Sequence, residues 1–235
     1  MKNWIESLQA DGPFDTGNRF ARFFDHEPHR IMQKWENYFE IYDRHLGRFL
    51  DRPVTFLEIG ISQGGSLDMW RSCLAPGSLI VGIDVNPRCR RFEDDNTRVF
   101  IGDQADPEFW EDVLSQVPRV DVVLDDGGHT MEQQIASFNS LFPRIAEDGL
   151  YMCEDTHTSY SPDYGGGYRA PGSFIEFSKG FVDALHAWHA PEVPVDSVTR
   201  SAHSVHFYDG IVVLEKRPMQ KPRPVQKANP SSDAG

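Results

Sequence analysis

The chain has 235 residues, with 36 acidic against 23 basic side chains and a formal net charge of −13. That length bounds one large or two small domains, and 39% hydrophobic with 25% charged residues is an ordinary soluble composition able to bury a full core. The acidic excess argues against nucleic acid or an anionic membrane as partner, and no apolar run approaches the ~20 residues of a bilayer span. Three cysteines, Cys73, Cys89 and Cys153, without a CxxC pattern argue for reduced thiols in a cytoplasm and against a zinc site.

The N-terminus shows no basic-then-apolar leader pattern, and the first ~30 residues read as irregular. In "IMQKWENYFEIYDRHLGRFL" the apolar residues Ile31, Trp35, Tyr38, Tyr42, Leu46 and Phe49 recur at three or four, which predicts one helix face. The spacing reads as packing rather than substrate contact, and residues 1–52 as a helical extension or cap. From residue 53 the pattern changes. Short apolar runs, "VTFLEIG", "LIVGIDV", "TRVFIGD", "VDVVLDD" and "GLYMCED", alternate with amphipathic segments, and each closes on Gly or an acid. Continuous apolar runs predict strands buried on both faces, as in a parallel sheet. Between them, Asp106 and Pro107 start a helix. Thr130 and Gln133 offer a capping box ahead of the stripe Met131, Ile135, Phe138 and Phe142. "SVHFYDGIVVLEK" reads as two strands about a turn at Asp209-Gly210. The fold class is α/β: a doubly wound, mostly parallel, seven-stranded, Rossmann-like sheet over residues 53–216, its final strand antiparallel. Residues 217–235, rich in Pro and Lys, read as a disordered or loosely docked tail. In such sheets ligands bind outside the carboxyl ends of the strands, where these terminal acids lie.

The loop "EIGISQGGS" follows the first strand, with Gly60, Gly64 and Gly65 allowing positive φ and close approach. Its spacing is not the G-x-G-x-x-G of dinucleotide sites. Glu58 would repel a pyrophosphate but suits an ammonium group. Asp84, ending the second strand, is placed for ribose hydroxyls, and Asp103 with Gln104 after the third for an adenine edge. With these acids the glycine pattern resembles the class I S-adenosylmethionine-dependent methyltransferases over about residues 53–216. The resemblance implies that Glu58, Gly60 and Gly64 shape the methionine pocket, that Asp84 binds the ribose and that Asp103 and Gln104 lie by the adenine. Ser62 in the loop and Asp125 at the end of the fourth strand complete the cofactor-binding set.

"LDDGGH" ends the fourth strand in Asp125 and Asp126, with His129 after two glycines, and "CEDTH" ends the fifth in Glu154 and Asp155. On neighbouring strands Asp126, Glu154 and Asp155 converge, and a divalent cation removes their repulsion. All-oxygen ligands favour Mg²⁺. His129 can accept a hydroxyl proton. His157 is a competing ligand or base, ranked lower because Thr156 separates it from the acids and aims it elsewhere.

With "EDTHTSY" and "HFYDGIVVLEK", these motifs resemble the metal-dependent sugar O-methyltransferases of the mycinamicin and rhamnosyl type, whose domain cephalosporin-tailoring proteins share. The resemblance implies Mg²⁺ on Asp126, Glu154 and Asp155, His129 as general base, and methyl transfer from S-adenosylmethionine to a hydroxyl of a sugar or glycoside. Gly128 stands where relatives often carry Ser. Set against the mycinamicin type, the sequence is read as being without a long N-terminal domain, so its own N-terminal helix or a second subunit is expected to close the site, and a homo-oligomer is expected. Ser159–Gly172, with Tyr160, Tyr164 and Tyr168, suggests a lid whose tyrosines stack on a sugar. The rivals are a catechol-type Mg²⁺ methyltransferase, and a nucleotide- or sugar-binding accessory protein without catalysis.

Overall fold

Each of the five apolar runs is a strand, and the residues that close them gather at one edge of one sheet. A computed structural model describes residues 17–26, 29–117 and 119–227. The strands are β1 (Thr55–Ile59), β2 (Leu79–Asp84), β3 (Thr97–Ile101), β4 (Val122–Asp125), β5 (Leu150–Cys153), β6 (Ala202–Phe207) and β7 (Val212–Lys216). Their order is β3-β2-β1-β4-β5-β7-β6, with β7 antiparallel to both neighbours and the pairs among the first five parallel. Chain direction reverses across the sheet between β1 and β4, the switch point at which a ligand crevice opens.

The helices follow the capping signals. α4 (Pro107–Gln116) starts on the Asp106 side chain, and α5 (Met131–Leu141) on the Thr130/Gln133 capping box. α3 (Gly65–Cys73) follows the glycine loop, α6 (Phe174–His186) follows β5, and α7 (Ser197–Ser201) precedes β6. The crossover from β2 to β3 carries only a short 3₁₀ segment, Pro87–Phe92.

Two corrections concern the N-terminal region. α1 (Arg19–His26) lies in the stretch read as irregular, while residues 1–16 fall outside the described residues. The six-residue helical stripe is half right. α2 spans Tyr38–Leu46, with Tyr38, Tyr42 and Leu46 buried, and Phe49 is buried just beyond it. Residues 31–35 are not helical, and Ile31 and Trp35 are exposed. That segment lies across the glycine loop, so close that a Cβ on Gly65 would come within 2.5 Å of the Ile31 carbonyl oxygen. Tertiary contact overrides the local period.

Strand alternation sorts the core into two faces. Phe56, Leu124 and Met152 pack with Phe20, Tyr42, Leu46 and Trp70 from α1–α3. Leu57, Val123 and Tyr151 pack with Trp110, Phe138 and Phe181 from α4–α6. The N-terminal helices are therefore part of the central core rather than a separate cap. Beyond residue 216 the chain stays docked for a few residues, as Arg217 N–H donates to Ser201 O and Met219 N–H to Arg200 O. Residues 228–235 of the predicted tail lie outside the described residues.

Lys216 closes the fold at the opposite end of the sheet from the crevice. Its buried ammonium donates to the carbonyls of Phe142, Pro143 and Ile145, 2.7–2.9 Å away, just past α5. Lys216→Met keeps the stem and strands three acceptors. It should cost about 1–3 kcal/mol, seen as a lower midpoint in calorimetric unfolding. An unchanged midpoint would show that water replaces the ammonium at no cost.

Candidate active site

The parallel register continues one residue past the strands. Asp126 N–H donates to Ile59 O, and Glu154 N–H to Asp125 O. Asp126 and Glu154 thus sit side by side, and alternation turns them to the α1–α3 face, as it does Glu58. There they meet a residue the sequence analysis did not single out. Lys34 Nζ donates to Asp126 Oδ2 at 2.6 Å and to Glu154 Oε2 at 2.7 Å, with its side chain 2% exposed. Tyr42 OH donates to Glu154 Oε1. Burial works against the Lys34 charge, but Asp126 and Glu154 outweigh it and hold its pKa well above the usual lysine value. Burial drives the Glu154 carboxyl up, and the Lys34 ammonium opposes that rise. A cation does lie between two of the three predicted metal ligands, and it is an ammonium.

Asp155 begins the next turn in the left-handed region, at φ 51°. Tyr38 OH donates to its Oδ1 at 2.7 Å. Tyr38 and Tyr42 are more than packing, because their rings fill the core while their hydroxyls hold the two acids. His129, also left-handed at φ 58°, places Nε2 3.5 Å from Asp155 Oδ2 and 3.8 Å from Asp126 Oδ1. Asp126, His129 and Asp155 each offer a ligand atom within 4.8 Å of the others. His129 Nδ1 is buried without a partner. His157 is not aimed away as its sequence position suggested. Its Nδ1 is 4.0 Å from Asp155 Oδ1, and its ring meets the exposed Trp35 edge-on. Tyr164 lies beside His129, with ring centroids 6.5 Å apart, and Tyr160, Tyr164 and Tyr168 are all exposed. The Ser159–Gly172 loop is closely tied by its own backbone: Gly166 N–H donates to Ser161 O and Gly167 N–H to Ser159 O.

On the β2 side, a cleft of about 510 Å³ is lined by Ser62, Gln63, Asp84, Asn86, Arg88, Cys89 and Arg91. Asp84 Oδ2 accepts from the N–H groups of Ile61 and Ser62, and Oδ1 from Asn86 N–H, which fixes the carboxylate at the cleft. Gly60, at φ +96°, is required by close approach: a Cβ would lie 2.0 Å from Asp126 O. Glu58 is fully buried. Ser66 Oγ donates to its Oε2, no hydrogen bond of normal geometry reaches its Oε1, and burial raises its pKa to about 7 against the pull of Lys34 and of the Trp70 and Ser66 side chains. An unmet buried acceptor beside the glycine loop fits a cationic or hydrogen-bonding ligand group.

Two of the cofactor assignments need correction. Asp125 faces the α4–α6 side, buried, accepting from Gln104 Nε2 at 2.9 Å and Tyr151 OH at 3.2 Å. Gln104 is buried too; its Nε2 also donates to Ser137 Oγ, and its Oε1 accepts Gly128 N–H at 2.8 Å. Odd-numbered β4 residues point away from the crevice, so Asp125 and Gln104 brace the histidine loop from behind. Asp103 is exposed and caps its own turn through Ala105 N–H. Lys34 could have been found by asking which basic side chain offsets buried Glu58, Asp126 and Glu154, but its distance in sequence concealed it.

The fold and these residues define a class. Residues 57–156 match the Methyltransferase domain family, and the sheet has the class I methyltransferase fold. Its relatives are sugar O-methyltransferases. It is 34% identical over 197 residues to the 8-demethyl-8-alpha-L-rhamnosyl tetracenomycin-C 2'-O-methyltransferase of Streptomyces olivaceus, covering 78% of this chain and 52% of that protein. It is 35% identical over 193 residues to the L-olivosyl-oleandolide 3-O-methyltransferase of Streptomyces antibioticus, covering 77% and 50%. Among solved structures, the MycE methyltransferase of the mycinamycin biosynthetic pathway, in complex with Mg, SAH and mycinamycin VI, superposes with a TM-score of 0.75 at 30% identity, covering 85% of this chain and 53% of that one. The chain spans about half the length of the relatives it matches.

Two expectations follow from the buried charges. Lys34→Met leaves Asp126 and Glu154 facing each other without their cation, a loss of about 3–5 kcal/mol for a broken buried pair. Added Mg²⁺ should stabilise this variant more than the parent; equal stability of the two in metal-free buffer would contradict the bridge. Glu58, with its folded pKa raised to about 7, binds a proton that the unfolded chain has already released. Its contribution to stability is complete below the unfolded carboxylate pKa and is lost as pH rises through about 7. Glu58→Gln should flatten that decline in urea midpoints between acid and neutral pH, and an unaltered slope would count against it.

Proposed function

We propose that the chain is a Mg²⁺-dependent O-methyltransferase that moves a methyl group from S-adenosylmethionine to a hydroxyl of a sugar or glycoside. The observation that carries this reading is the convergence of Asp126, His129 and Asp155 at the switch point of a methyltransferase fold. When bound, the cofactor supplies an electrophilic methyl group, and Mg²⁺ supplies charge that makes a hydroxyl a better acid. Asp126 and Asp155, backed by Glu154, would hold the cation. Asp84 with the Ser62 loop would hold the ribose at the open cleft, and Gly60 and Gly64 let the backbone approach the cofactor. Glu58 would answer the amino group of the methionine moiety. His129 takes the hydroxyl proton, a contribution typically worth ~10²–10⁴-fold. Its Nε2, 3.5 Å from Asp155 Oδ2 and 3.8 Å from Asp126 Oδ1, would be the atom that receives it. Tyr164, beside His129, offers a face on which a sugar ring stacks.

Self-association and a reducing, cytoplasmic setting complete the proposal. All three cysteines are buried, and Cys89 and Cys153 are free thiols, which fits that setting. No helix among the described residues is long and apolar enough to cross a membrane. Sedimentation velocity measures the assembly.

The decisive experiment is methyl transfer from labelled S-adenosylmethionine over a panel of glycosides, with calorimetry for cofactor binding. EDTA should abolish transfer and Mg²⁺ restore it. His129→Ala should lose about two or more decades in kcat with cofactor binding intact, while His157→Ala keeps most of its rate. Transfer to catechols alone, full activity without metal, or a dead His157→Ala beside an active His129→Ala would each overturn part of this reading.

A further inference from the structure

A second cluster of metal-ligating side chains lies at the other end of α2, away from the crevice. His45, near the C-terminus of α2, is buried. It packs on the sheet edge formed by β6 and β7, where Ser204 pairs with Glu215 and His206 follows two residues later on the same face. His45 Nδ1 is 3.3 Å from Glu215 Oε1, and His206 Nε2 is 3.7 Å from the same oxygen. The three donors all lie within 4.8 Å of one another.

We propose that His45, His206 and Glu215 form a second metal site, one that takes a borderline cation of the Zn²⁺ class and fastens α2 to the β6–β7 hairpin. The donor set is two imidazoles and one carboxylate, a ligand combination that leaves one tetrahedral position open to water. Zinc–ligand bonds of about 2.0–2.1 Å put tetrahedral donors about 3.3 Å apart, and two of the three separations are already near that value. The outer partner is also present: His45 Nε2 lies 2.8 Å from Tyr208 OH, leaving Nδ1 to face the other donors. A hydrogen bond of that kind orients a metal-bound imidazole. Ser204 Oγ, 3.0 Å from His206 Nε2, must give up that nitrogen on metal binding. Mg²⁺ prefers all-oxygen sites, so the two centres select different ions. The cysteine argument against zinc does not reach this set, which needs no thiolate.

The site is separate from the chemistry yet mechanically joined to it. His45 follows Tyr38 by seven residues, two turns or about 10 Å along the helix. α2 carries the two hydroxyls that hold Asp155 and Glu154, so a metal at its far end would stiffen their support.

The test uses the full chain, stripped of metal and then saturated with Mg²⁺ to fill the acidic centre. Zn²⁺ should bind with one equivalent by calorimetry and raise the unfolding midpoint. Co²⁺ should give the visible ligand-field bands of a tetrahedral site. His206→Ala and the milder Glu215→Gln should both abolish the bands. Tyr208→Phe should weaken binding about 10–100-fold, and Asp155→Asn should leave it unchanged. If the Mg²⁺-saturated chain takes no Zn²⁺, or if binding survives Glu215→Gln and disappears in Asp155→Asn, the site does not exist and the cluster is only a hydrogen-bonded histidine–glutamate pair.

Discussion

One ammonium group organises the crevice. Glu58, Asp126 and Glu154 all turn to the same face of the sheet because each lies in step with the inward residues of its strand. Three carboxylates so placed would repel each other in a medium that screens charge poorly. Lys34 resolves this by reaching down between Asp126 and Glu154. Its reach also bears on the shape of the N-terminal segment. Residues 31–35, which bring Lys34 to the acids, are not helical, and α2 begins only at Tyr38. From there Tyr38 and Tyr42 continue the same task with their hydroxyls.

The sheet was readable because its signals are local. Five apolar runs ending in Gly or acid, one capping box and one Asp-Gly turn each specify their own backbone, and none depends on a distant partner. The N-terminal stripe misled for the complementary reason. Its 3.6-residue period is real from Tyr38 to Leu46, but Ile31 and Trp35 match it only by coincidence, and their segment instead packs across the glycine loop.

The site was legible to a similar extent. "DDGGH" and "ED" lie at adjacent strand ends, but the donor atoms that gather within 4.8 Å are those of Asp126, His129 and Asp155, whereas the spacing had grouped Asp126 with Glu154 and Asp155. What the linear pattern could not supply was orientation. Asp125 and Asp126 look equivalent on paper, yet alternation sends one to each face of the sheet. Gln104 likewise sits beside a strand end but spends its amide inside the protein. Lys34 was hidden because it lies 92 residues from Asp126 and 120 from Glu154.

A buried run on the α4–α6 side of the sheet leads from Tyr151 through Asp125 and Gln104 to Gly128 N–H. Gly127 is clamped in the same place, since a Cβ there would strike Gln104 Oε1 at 1.9 Å. The turn that presents His129 is therefore tethered on its hidden side, and its angle is set by groups that no ligand in the crevice can touch. Replacement at Ser137 or Tyr151, behind the sheet, acts on the same turn as replacement at Gly128 itself. Distance from the chemistry is a poor guide to which positions in this domain tolerate change.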